Sequence, residues 1–485
     1  YTFSGGPNLR TFSFDNNEYD RYYFGYFNQN PFGTYLTGGQ GETDGKGEFV
    51  VQLPAEPTGD TPGSRTFTIE GTVNDVGGNS VSGRTQIIVH QSDVYAGIRA
   101  SERIGEAGEE VSFDVVLVDW DGEVQPNGTV SVEIVRRQWN SVQEEDENGN
   151  TIWRSEVEEI PAAAFEAVEL DENGRATVTF IPEQGGVYRA YVRATDARGN
   201  DTVSSTYLWV SGGGYVSWRR SSDHGFDLIA DSDTYSPGDT AEILIASPFQ
   251  GESYALVTTE RGHIYSSEVI KLDSNSAIYR LPITGEMAPN IFVSVMVIKG
   301  VDEFNTAPDF KMGMLQFNVE REEQELNIEI TPSAELLGPQ DTVTYTVRVT
   351  DHTGAPVEAE LSLSLVDLAL LSLKADNAPP ILDYFYSTRW LSVQTALLLT
   401  RNMDAYNQEL QEEIKGGGGG GGDFGVISVR EDFKDTAFWT GQVTTDENGV
   451  ATVTVTLPDN LTTWRMDARA VTKDTRVGQA TNDIR

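Results

Sequence analysis

Apolar and polar residues alternate in short runs along almost the whole chain. Clear runs are Thr66–Glu70, Val111–Val118, Thr177–Ile181, Thr342–Val349 and Thr452–Leu457. Alternation with a period of two, bounded by Asp, Asn, Gly and Pro, is typical of half-buried β-strands joined by turns. Many short strands at this spacing predict an all-β chain built from antiparallel β-sandwiches.

Three motifs recur along the chain and divide it. The first is an acidic-glycine turn followed by an alternating strand and a proline, in which Asp caps the turn and Gly accepts a positive φ. It occurs at Thr43–Pro54, Leu170–Pro182 and Thr445–Pro458. The second, a turn with glycine or proline and then a long strand, opens units at Gly105–Asp119, Tyr235–Ser247 and Leu337–Asp351. The third, a strand followed by Asp and a glycine turn, ends or divides units at Val73–Gly83, Ala194–Asn200 and Val349–Val357.

These motifs predict four units, at residues 1–92, 93–213, 214–321 and 322–485. The first unit lacks the opening strand motif, so we expect it to be truncated at its N-terminus. One helix candidate, Ile381–Ile414, lies in the fourth unit and begins after Pro379 and Pro380. Its apolar first part predicts a short packed helix or an irregular segment, and its polar later part predicts an exposed tether.

Composition excludes several classes of function. The 485 residues include 75 acidic and 34 basic ones, a formal net charge of -41. A nucleic-acid partner is not expected, because phosphate binding needs a basic surface. The chain has no cysteine, which excludes thiol catalysis, cysteine metal sites and disulfides and favours a bacterial origin. No stretch is apolar enough to predict a membrane span.

Candidate catalytic and metal-binding residues do not assemble into a site in the sequence. The four histidines, His90, His224, His263 and His352, lie in different predicted units without metal-ligand spacing. The Asp-Glu-Asn-Gly segments at 146–149, 171–174 and 446–449 are most simply hairpin turns, with a weak calcium site as the alternative. No nucleophile elbow, zinc-protease motif or phosphate loop occurs. We therefore expect no enzyme activity, no metal and no cofactor.

A run of seven glycines interrupts the last β-patterned unit. Its members are Gly416, Gly417, Gly418, Gly419, Gly420, Gly421 and Gly422. Such a run has no side chains to bury and a very high conformational entropy, so it predicts a flexible tether. Beside it lie side chains that suit the primary pockets of trypsin-like, chymotrypsin-like, glutamyl and elastase-like proteases: Arg401, Met403, Tyr406, Leu410, Glu412, Glu413, Lys415, Phe424 and Arg430. Exposed flexible segments are nicked first by proteases. The alternative is a passive linker, although this segment splits a unit and does not join two.

The segment after the insertion resembles the alpha-2-macroglobulin family, especially its bacterial members. The resemblance is carried by Asp435–Trp439, Leu457–Arg465 and Val477–Ala480. Further segments similar to bacterial members are Val89–Ile98, Tyr235–Phe249, Ala288–Gly300, Val366–Leu373 and Ile381–Val393, so the similarity covers essentially the whole chain.

The resemblance implies a row of macroglobulin domains, each a fibronectin-like seven-stranded sandwich. The fourth unit would be split by a bait region at about residues 374–428, which almost any endoprotease cuts. The cut would trigger a conformational change that traps the protease. Many members also carry a thioester formed by Cys and Gln, and covalent capture is not expected of this cysteine-free chain. Neighbouring macroglobulin domains, a thioester domain and any membrane anchor would lie outside it, in a periplasmic or extracellular protein.

Two functions follow from the sequence. The first is a broad-spectrum endopeptidase inhibitor whose partners are endoproteases of several specificities. The alternative is a bacterial cell-surface, adhesin-like array of β-sandwich binding domains. The inhibitor predicts one preferred window of cleavage, whereas the adhesin predicts a specific ligand and no such window.

Overall fold

The computed structural model describes residues 3–16, 35–53, 63–75, 77–145, 151–220, 224–304, 308–373, 378–393 and 436–485. Strands dominate these residues, and they pair into several small sheets. The all-β fold predicted from the alternating pattern is therefore confirmed. Three pairs of sheets each enclose a hydrophobic core, and we name them sandwiches A, B and C in chain order.

The N-terminal part contains one hairpin, formed by β1 (Arg65–Asn74) and β2 (Ser80–Val89). Most of its side chains are exposed on both faces. Residues 3–16 pack instead against sandwich A, where four apolar side chains share a small cluster with Tyr95, Val116 and Val118; they are Phe3, Leu9, Phe12 and Phe14. Within the described residues of 1–92 no second sheet covers the hairpin. The predicted unit boundaries stay a prediction.

Sandwich A pairs a three-stranded sheet, ordered β3-β5-β8, with a five-stranded sheet, ordered β4-β10-β9-β6-β7. Its strands are β3 (Val94–Ala100), β4 (Ile104–Glu106), β5 (Val111–Asp119), β6 (Thr129–Glu145), β7 (Thr151–Glu169), β8 (Arg175–Phe180), β9 (Gly186–Thr195) and β10 (Asp201–Ser211). Alternate residues of β5 and β9 face the shared core, as the period of two predicts. Short β4 adds in parallel to β10, and the other pairs are antiparallel.

Sandwich B repeats this arrangement, with sheets ordered β11-β13-β16 and β12-β18-β17-β14-β15. Its strands are β11 (Leu228–Ala230), β12 (Thr234–Tyr235), β13 (Thr240–Ala246), β14 (Ser253–Glu260), β15 (Ile264–Leu272), β16 (Ser276–Pro282), β17 (Asn290–Lys299) and β18 (Asp309–Val319). The core comes from both sheets, with Ile243 and Val295 fully buried in it. Short β12 again adds in parallel, here to β18.

Sandwich C has a three-stranded sheet, ordered β19-β20-β23, and a four-stranded sheet, ordered β22-β21-β24-β25. Its strands are β19 (Asn327–Pro332), β20 (Thr342–Thr350), β21 (Glu360–Asp367), β22 (Thr436–Thr444), β23 (Val450–Thr456), β24 (Trp464–Val471) and β25 (Val477–Ile484). Two short helices lie between β21 and β22: α1 (Leu368–Leu373) and α2 (Ile381–Phe385). The predicted helix candidate is thus reduced to α2 within the described residues.

One turn geometry recurs where the sequence shows Asp-x-x-Gly. In each turn an aspartate Oδ1 accepts the backbone N–H four residues on, and the intervening glycine has a φ between 59° and 86°. The aspartates are Asp44, Asp75, Asp119, Asp171, Asp196, Asp351 and Asp446. Residues 171–174 and 446–449 do form tight turns, but these turns are not hairpins, because each joins strands of two different sheets: β7 to β8 and β22 to β23. Residues 146–149 lie outside the described residues.

These turns also explain an electrostatic pattern. The backbone N–H of Val450 and the amide groups of Asn448 hold the pKa of Asp446 below its usual value, against the opposing effect of burial. The same kind of donors lower the pKa of Asp171. Because Oδ1 of each carboxylate accepts backbone N–H groups, these aspartates stabilise the turns.

Sandwiches A and B meet through a hydrophobic core of their own. Apolar side chains from both sandwiches and from the linker between them are buried together: Ile104, Trp209, Val216, Trp218, Ile229, Leu244 and Ala246. The side chain of Asn275 accepts from the Val216 N–H at 2.9 Å and donates to the Val216 carbonyl at 2.7 Å. The Trp218 indole N–H donates to the Asn275 carbonyl at 2.7 Å. The buried contacts of this joint leave a cavity of only about 30 Å³, beside Trp209, Trp218 and Ala246.

Candidate functional site

The predicted insertion closes a loop between two neighbouring strands of one sheet. Strands β21 and β22 are antiparallel, with Val366 opposite Thr436 and Glu360 opposite Thr444. The chain therefore leaves sandwich C at the end of β21 and returns beside the same point. The pairing has register irregularities between Leu361 and Leu363 and between Leu365 and Val366. Strand β22 also forms the edge of its sheet, so it is held on one side only within the described residues.

All the predicted cleavage candidates and the glycine tether lie outside the described residues, since the chain between 394 and 435 is not described. Those site predictions therefore stay predictions. The structure does describe residues 378–393, which the sequence placed inside the insertion. We call this segment the strap.

The first end of the insertion is capped. Helix α1 follows β21 directly, and Asp367 Oδ1 accepts the N–H of Ala369 at 2.8 Å. The same oxygen accepts the hydroxyl of Thr462 at 2.6 Å, which ties the start of the insertion to the loop before β24. The chain thus leaves the sheet at a defined point.

The strap begins with Pro379 and Pro380 and the single turn of α2. Proline before a helix sets its φ in advance and gives up no hydrogen bond, because the first N–H groups of a helix have no intrahelical partner. The Tyr384 N–H donates to the Pro380 carbonyl at 3.0 Å, and the Tyr386 N–H donates to the Leu382 carbonyl at 2.9 Å. The strap then continues without regular structure to Val393.

The far end of the strap is bound to sandwich B. The Asn290 side chain donates to the Arg389 carbonyl at 3.0 Å and accepts the Arg389 N–H at 2.9 Å. The Gly262 N–H donates to the Leu391 carbonyl at 2.7 Å. Asn290 is fully buried, so its amide is held in place for this paired contact.

The near end of the strap is bound to sandwich C. The Tyr386 hydroxyl donates to the Thr475 carbonyl at 2.9 Å. The Ile381 N–H donates to the Gln479 side chain at 3.4 Å, and α2 packs against β25. The strap therefore touches both sandwiches.

The linker between the two sandwiches supplies a third anchor. One amino group of the Arg321 guanidinium donates to the Tyr386 carbonyl at 3.0 Å, and the other forms an ion pair with Asp383 at 2.7 Å. The linker itself extends the sheet of sandwich C, because the Leu326 N–H donates to the Val477 carbonyl at 2.8 Å. Arg321 thus connects the linker to the middle of the strap.

A cavity of about 670 Å³ lies beneath the strap. Its walls come from sandwich B, from the linker and from the strap itself: Thr234, Pro289, Asn318, Val319, Glu320, Arg321, Glu322, Glu325, Leu382, Asp383, Tyr386, Ser387 and Thr388. This cavity is open to solvent, and it separates the linker and the strap from sandwich B. Polar, loosely packed contacts between domains permit relative motion.

The turn that Tyr386 contacts differs from the Asp-x-x-Gly turns. In residues 472–476 the Thr472 hydroxyl takes the place of the aspartate, accepting the Arg476 N–H at 2.9 Å. Thr475 stands where the other turns have glycine, with a φ of 66°. A β-branched residue in this left-handed region is strained. Asp474, beside it, has a lowered pKa because the Thr472 hydroxyl and Arg476 stabilise its charge against burial.

Three of the four histidines make separate contacts in different parts of the structure. The His224 ring stacks on Phe310 and the His263 ring stacks on Tyr265. His90 shares a hydrogen bond of 3.0 Å with the Tyr95 hydroxyl. In the part of the chain that the structure describes, no group of three or more His, Asp or Glu side chains is arranged to hold a metal ion. Nor does any described helix have the length and apolar character needed to cross a bilayer.

Two family models match the chain. One match ends where the insertion begins, and the other begins where the insertion ends. The alpha-2-macroglobulin bait region domain matches residues 226–373, which end with α1. The alpha-2-macroglobulin family model matches residues 436–485, which begin with β22. Both matched regions are thus similar to the alpha-2-macroglobulin family. The resemblance noted in the sequence is thereby confirmed, and the insertion lies between the two matched regions.

Curated relatives extend the similarity over most of this chain. The alpha-2-macroglobulin homolog of Nostoc sp. is 27% identical over 430 residues, covering 86% of this chain and 22% of the relative. The alpha-2-macroglobulin of Ralstonia nicotianae is 30% identical over 339 residues, covering 66% of this chain and 20% of the relative. The chain thus spans about a fifth of the length of these relatives.

Solved structures of bacterial members also align with the chain. The native Escherichia coli alpha-2-macroglobulin is 20% identical, with 87% of this chain and 27% of that chain covered and a TM-score of 0.31. The family assignment rests on the sequence matches, and the sandwich architecture rests on the sheets described above.

The sequence predicted a short packed helix or an irregular segment after Pro379 and Pro380, and it placed this segment inside the insertion. What sequence reasoning missed is that the segment contacts both sandwiches. Residues 378–393 are rich in aromatic side chains and begin with two prolines, whereas the chain after 400 is polar and glycine-rich. Only the partners on sandwiches B and C show that this first part is anchored.

Proposed function

We propose that this chain is the bait-bearing part of a broad-spectrum endopeptidase inhibitor of the alpha-2-macroglobulin type. Proteases of several specificities would cut the insertion between residues 401 and 430, and the cut would trigger the conformational change that traps them. The chain acts as a decoy substrate in this scheme and performs no catalysis. Such a protein would work in the periplasm or outside the cell, next to further macroglobulin domains.

The observation that carries this proposal is the closure of the insertion by two paired strands. Because β21 and β22 are neighbours in one sheet, an intact insertion restrains both strands at the same point. A cut would open this closed loop. Strand β22 would then gain more conformational entropy on leaving its edge position than it would in the uncut chain. The irregular register of β22 makes it the strand of this sheet best placed to respond.

Limited proteolysis tests the proposal. The chain is exposed briefly to low doses of a trypsin-like protease and a glutamyl protease, and the first fragments are identified by N-terminal sequencing. We expect both enzymes to cut first within residues 401–430. Trypsin should spare Arg389, because its N–H and carbonyl are both bonded to Asn290 and cannot bind as an extended substrate.

A matched variant sharpens the test by replacing every basic residue between 394 and 435 with glutamine: Arg401→Gln, Lys415→Gln, Arg430→Gln and Lys434→Gln. The first tryptic cut should disappear while glutamyl cleavage at Glu412 or Glu413 persists. First cuts scattered among the joints between sandwiches in the unmodified chain would overturn the inhibitor proposal. That outcome, together with a specific ligand, would favour the adhesin-like alternative.

A further inference from the structure

The joint between sandwiches B and C has little apolar contact of its own in the described residues. No buried hydrophobic cluster there draws members from both sandwiches, in contrast to the joint between A and B. The linker bonds directly to sandwich B through the Gln324 side chain, which donates to the Gly285 carbonyl at 3.1 Å. An open cavity separates sandwich B from the linker and the strap, so these elements are not packed tightly together.

The strap spans this joint and is bonded on both sides of it. Its contacts are made at three separate points: Asn290 and Gly262 on sandwich B, Arg321 on the linker, and Thr475 on sandwich C. A segment bonded to two bodies across a cavity restrains their relative rotation, whereas bonds to one body alone would not.

Each of the bonds that hold the strap is individually weak. The Arg321 and Asp383 side chains are 37% and 54% exposed, so their ion pair is screened by solvent and contributes little alone. Each neutral hydrogen bond contributes on the order of 1 kcal/mol net. The joint is therefore held only when all of these bonds are present at once. Such a set of bonds behaves as a cooperative element of low local stability.

The contact on sandwich C lies on a strained turn. Thr475 keeps a left-handed conformation that glycine occupies in the sister turns, and its carbonyl receives the Tyr386 hydroxyl. The Tyr386 hydroxyl also lies 3.2 Å from the Thr475 side-chain oxygen. Strained residues that persist at contact points of this kind mark places where two arrangements compete.

We propose that the strap, residues 378–393, is a latch that holds sandwiches B and C in one relative orientation in the uncut chain. Arg321 and Tyr386 are its central contacts, and Asn290 is its anchor on sandwich B. This restraint on the orientation of sandwiches B and C does not depend on the insertion being a bait region. A role of the latch in signalling does rest on the proposed function. Cleavage would remove the closure of the insertion, and the resulting change would be transmitted to sandwich B through the strap.

The test uses the uncut 485-residue chain and no protease. The latch variant carries Arg321→Gln and Tyr386→Phe, which remove bonds to Asp383, to the Tyr386 carbonyl and to Thr475. Hydrogen exchange is measured at the N–H groups of Gly262 and Arg389, whose own bonds the variant leaves in place. We expect both to exchange about tenfold faster, the change that a loss of about 1.4 kcal/mol of local stability produces.

A distance measurement gives an independent readout. Because the chain has no cysteine, Ser267→Cys on β15 and Glu447→Cys in the β22–β23 turn allow specific spin labels on sandwiches B and C. We expect one narrow distance distribution in the parent and a broader one in the latch variant. A second pair, Glu109→Cys and Ser267→Cys, spans the joint between A and B and should stay narrow in both.

Matched controls separate the latch from a general loss of stability. Tyr384→Phe removes the hydroxyl of an exposed tyrosine two residues away, and Arg280→Gln breaks a surface ion pair with Glu242 inside sandwich B. Both should leave exchange and distances unchanged. Unchanged exchange at Gly262 and Arg389 and an unchanged distance distribution in the latch variant would overturn the proposal. Scattered proteolytic cuts would overturn only the proposed function, since no protease enters this experiment.

Discussion

The two joints of this chain connect similar sandwiches in opposite ways. Between A and B, Trp218 and Val216 of the linker are buried with apolar residues from both sandwiches, and Asn275 satisfies the linker backbone. Between B and C, the linker is acidic, a cavity remains, and the strap supplies hydrogen bonds across the gap. A continuous core makes two sandwiches one cooperative body, whereas separate polar bonds leave two bodies with an adjustable orientation.

The comparison explains why an insertion in sandwich C can matter to sandwich B. Both ends of the insertion are held by β21 and β22, yet its first part is bound to Asn290 and Gly262 of the neighbouring sandwich. A cut at the A–B joint would meet a packed core that resists rearrangement. At the B–C joint the restraint is a short segment of chain that belongs to the insertion itself.

The largest expected effect is at the hydrophobic joint. Trp218→Ala should lower the free energy of unfolding by about 3–5 kcal/mol, because it leaves a cavity and removes the partner of the Asn275 carbonyl. Denaturant titration followed by circular dichroism measures this change. Trp439→Ala is the control, since that side chain is 69% exposed and should cost less than about 1 kcal/mol. Equal losses in the two variants would contradict a shared core between A and B.

The next effect is at the linker of the polar joint. Gly478 lies so close to the linker that an added Cβ would be 2.2 Å from the Leu326 carbonyl oxygen. Gly478→Ala should therefore push the linker off β25 and cost about 1–3 kcal/mol in unfolding free energy. Gly83→Ala, where a Cβ meets open space, is the matched control. If Gly478→Ala unfolds at the same denaturant concentration as the parent, this close approach does not exist in solution.

A smaller effect of opposite sign is expected at the strained turn. Thr475→Gly should raise the unfolding free energy by roughly 0.5–1 kcal/mol, because relief of left-handed strain exceeds the added entropy of the unfolded chain. Thr475→Ala keeps most of the backbone strain and should gain less. Thermal unfolding of the two variants side by side measures the difference. A stability loss in Thr475→Gly would show that the threonine side chain, and not its backbone, matters at this turn.

The smallest effect concerns the ion pair of Arg103 and Asp233 at the edge of the A–B joint. Hydrogen bonds from Arg103 and its charge lower the pKa of Asp233, against burial. A carboxyl with a lowered pKa stabilises the folded state above its ordinary pKa, and this contribution is lost as the pH falls through the folded value. Asp233→Asn should cost less than about 1 kcal/mol at pH 7, since the pair is exposed, and less at pH 2 than at pH 7. If Asp233→Asn lowers the free energy of unfolding by the same amount at pH 2 as at pH 7, the loss comes from packing and not from the ion pair.

Much of the fold was readable from the sequence. The runs at Val111–Val118 and Thr342–Val349 form β5 and β20 with alternate residues in the core. The Asp-x-x-Gly turns have the predicted capping and positive φ, because their geometry depends on residues within five positions of each other. Local patterns of this kind carry their own structural information.

The segment after Pro379 and Pro380 was predicted in outline only. The first part of the candidate Ile381–Ile414 was expected to be a short packed helix or an irregular segment, and it forms the single turn of α2 with irregular chain to residue 393. Its partners on sandwiches B and C could not be predicted. The parallel strands β4 and β12 were not foreseen either, since each is too short to show a pattern. Long-range partners decided these elements.

By itself the sequence determined the all-β class, the turn geometry, the position of the insertion and the resemblance to a family, because each depends on local order along the chain. Only the tertiary structure decided that A and B share a core, that B and C share none, and that residues 378–393 bridge them. Asn290 and Arg389, or Tyr386 and Thr475, are far apart in sequence, and no local periodicity records which distant surfaces meet when the sandwiches fold.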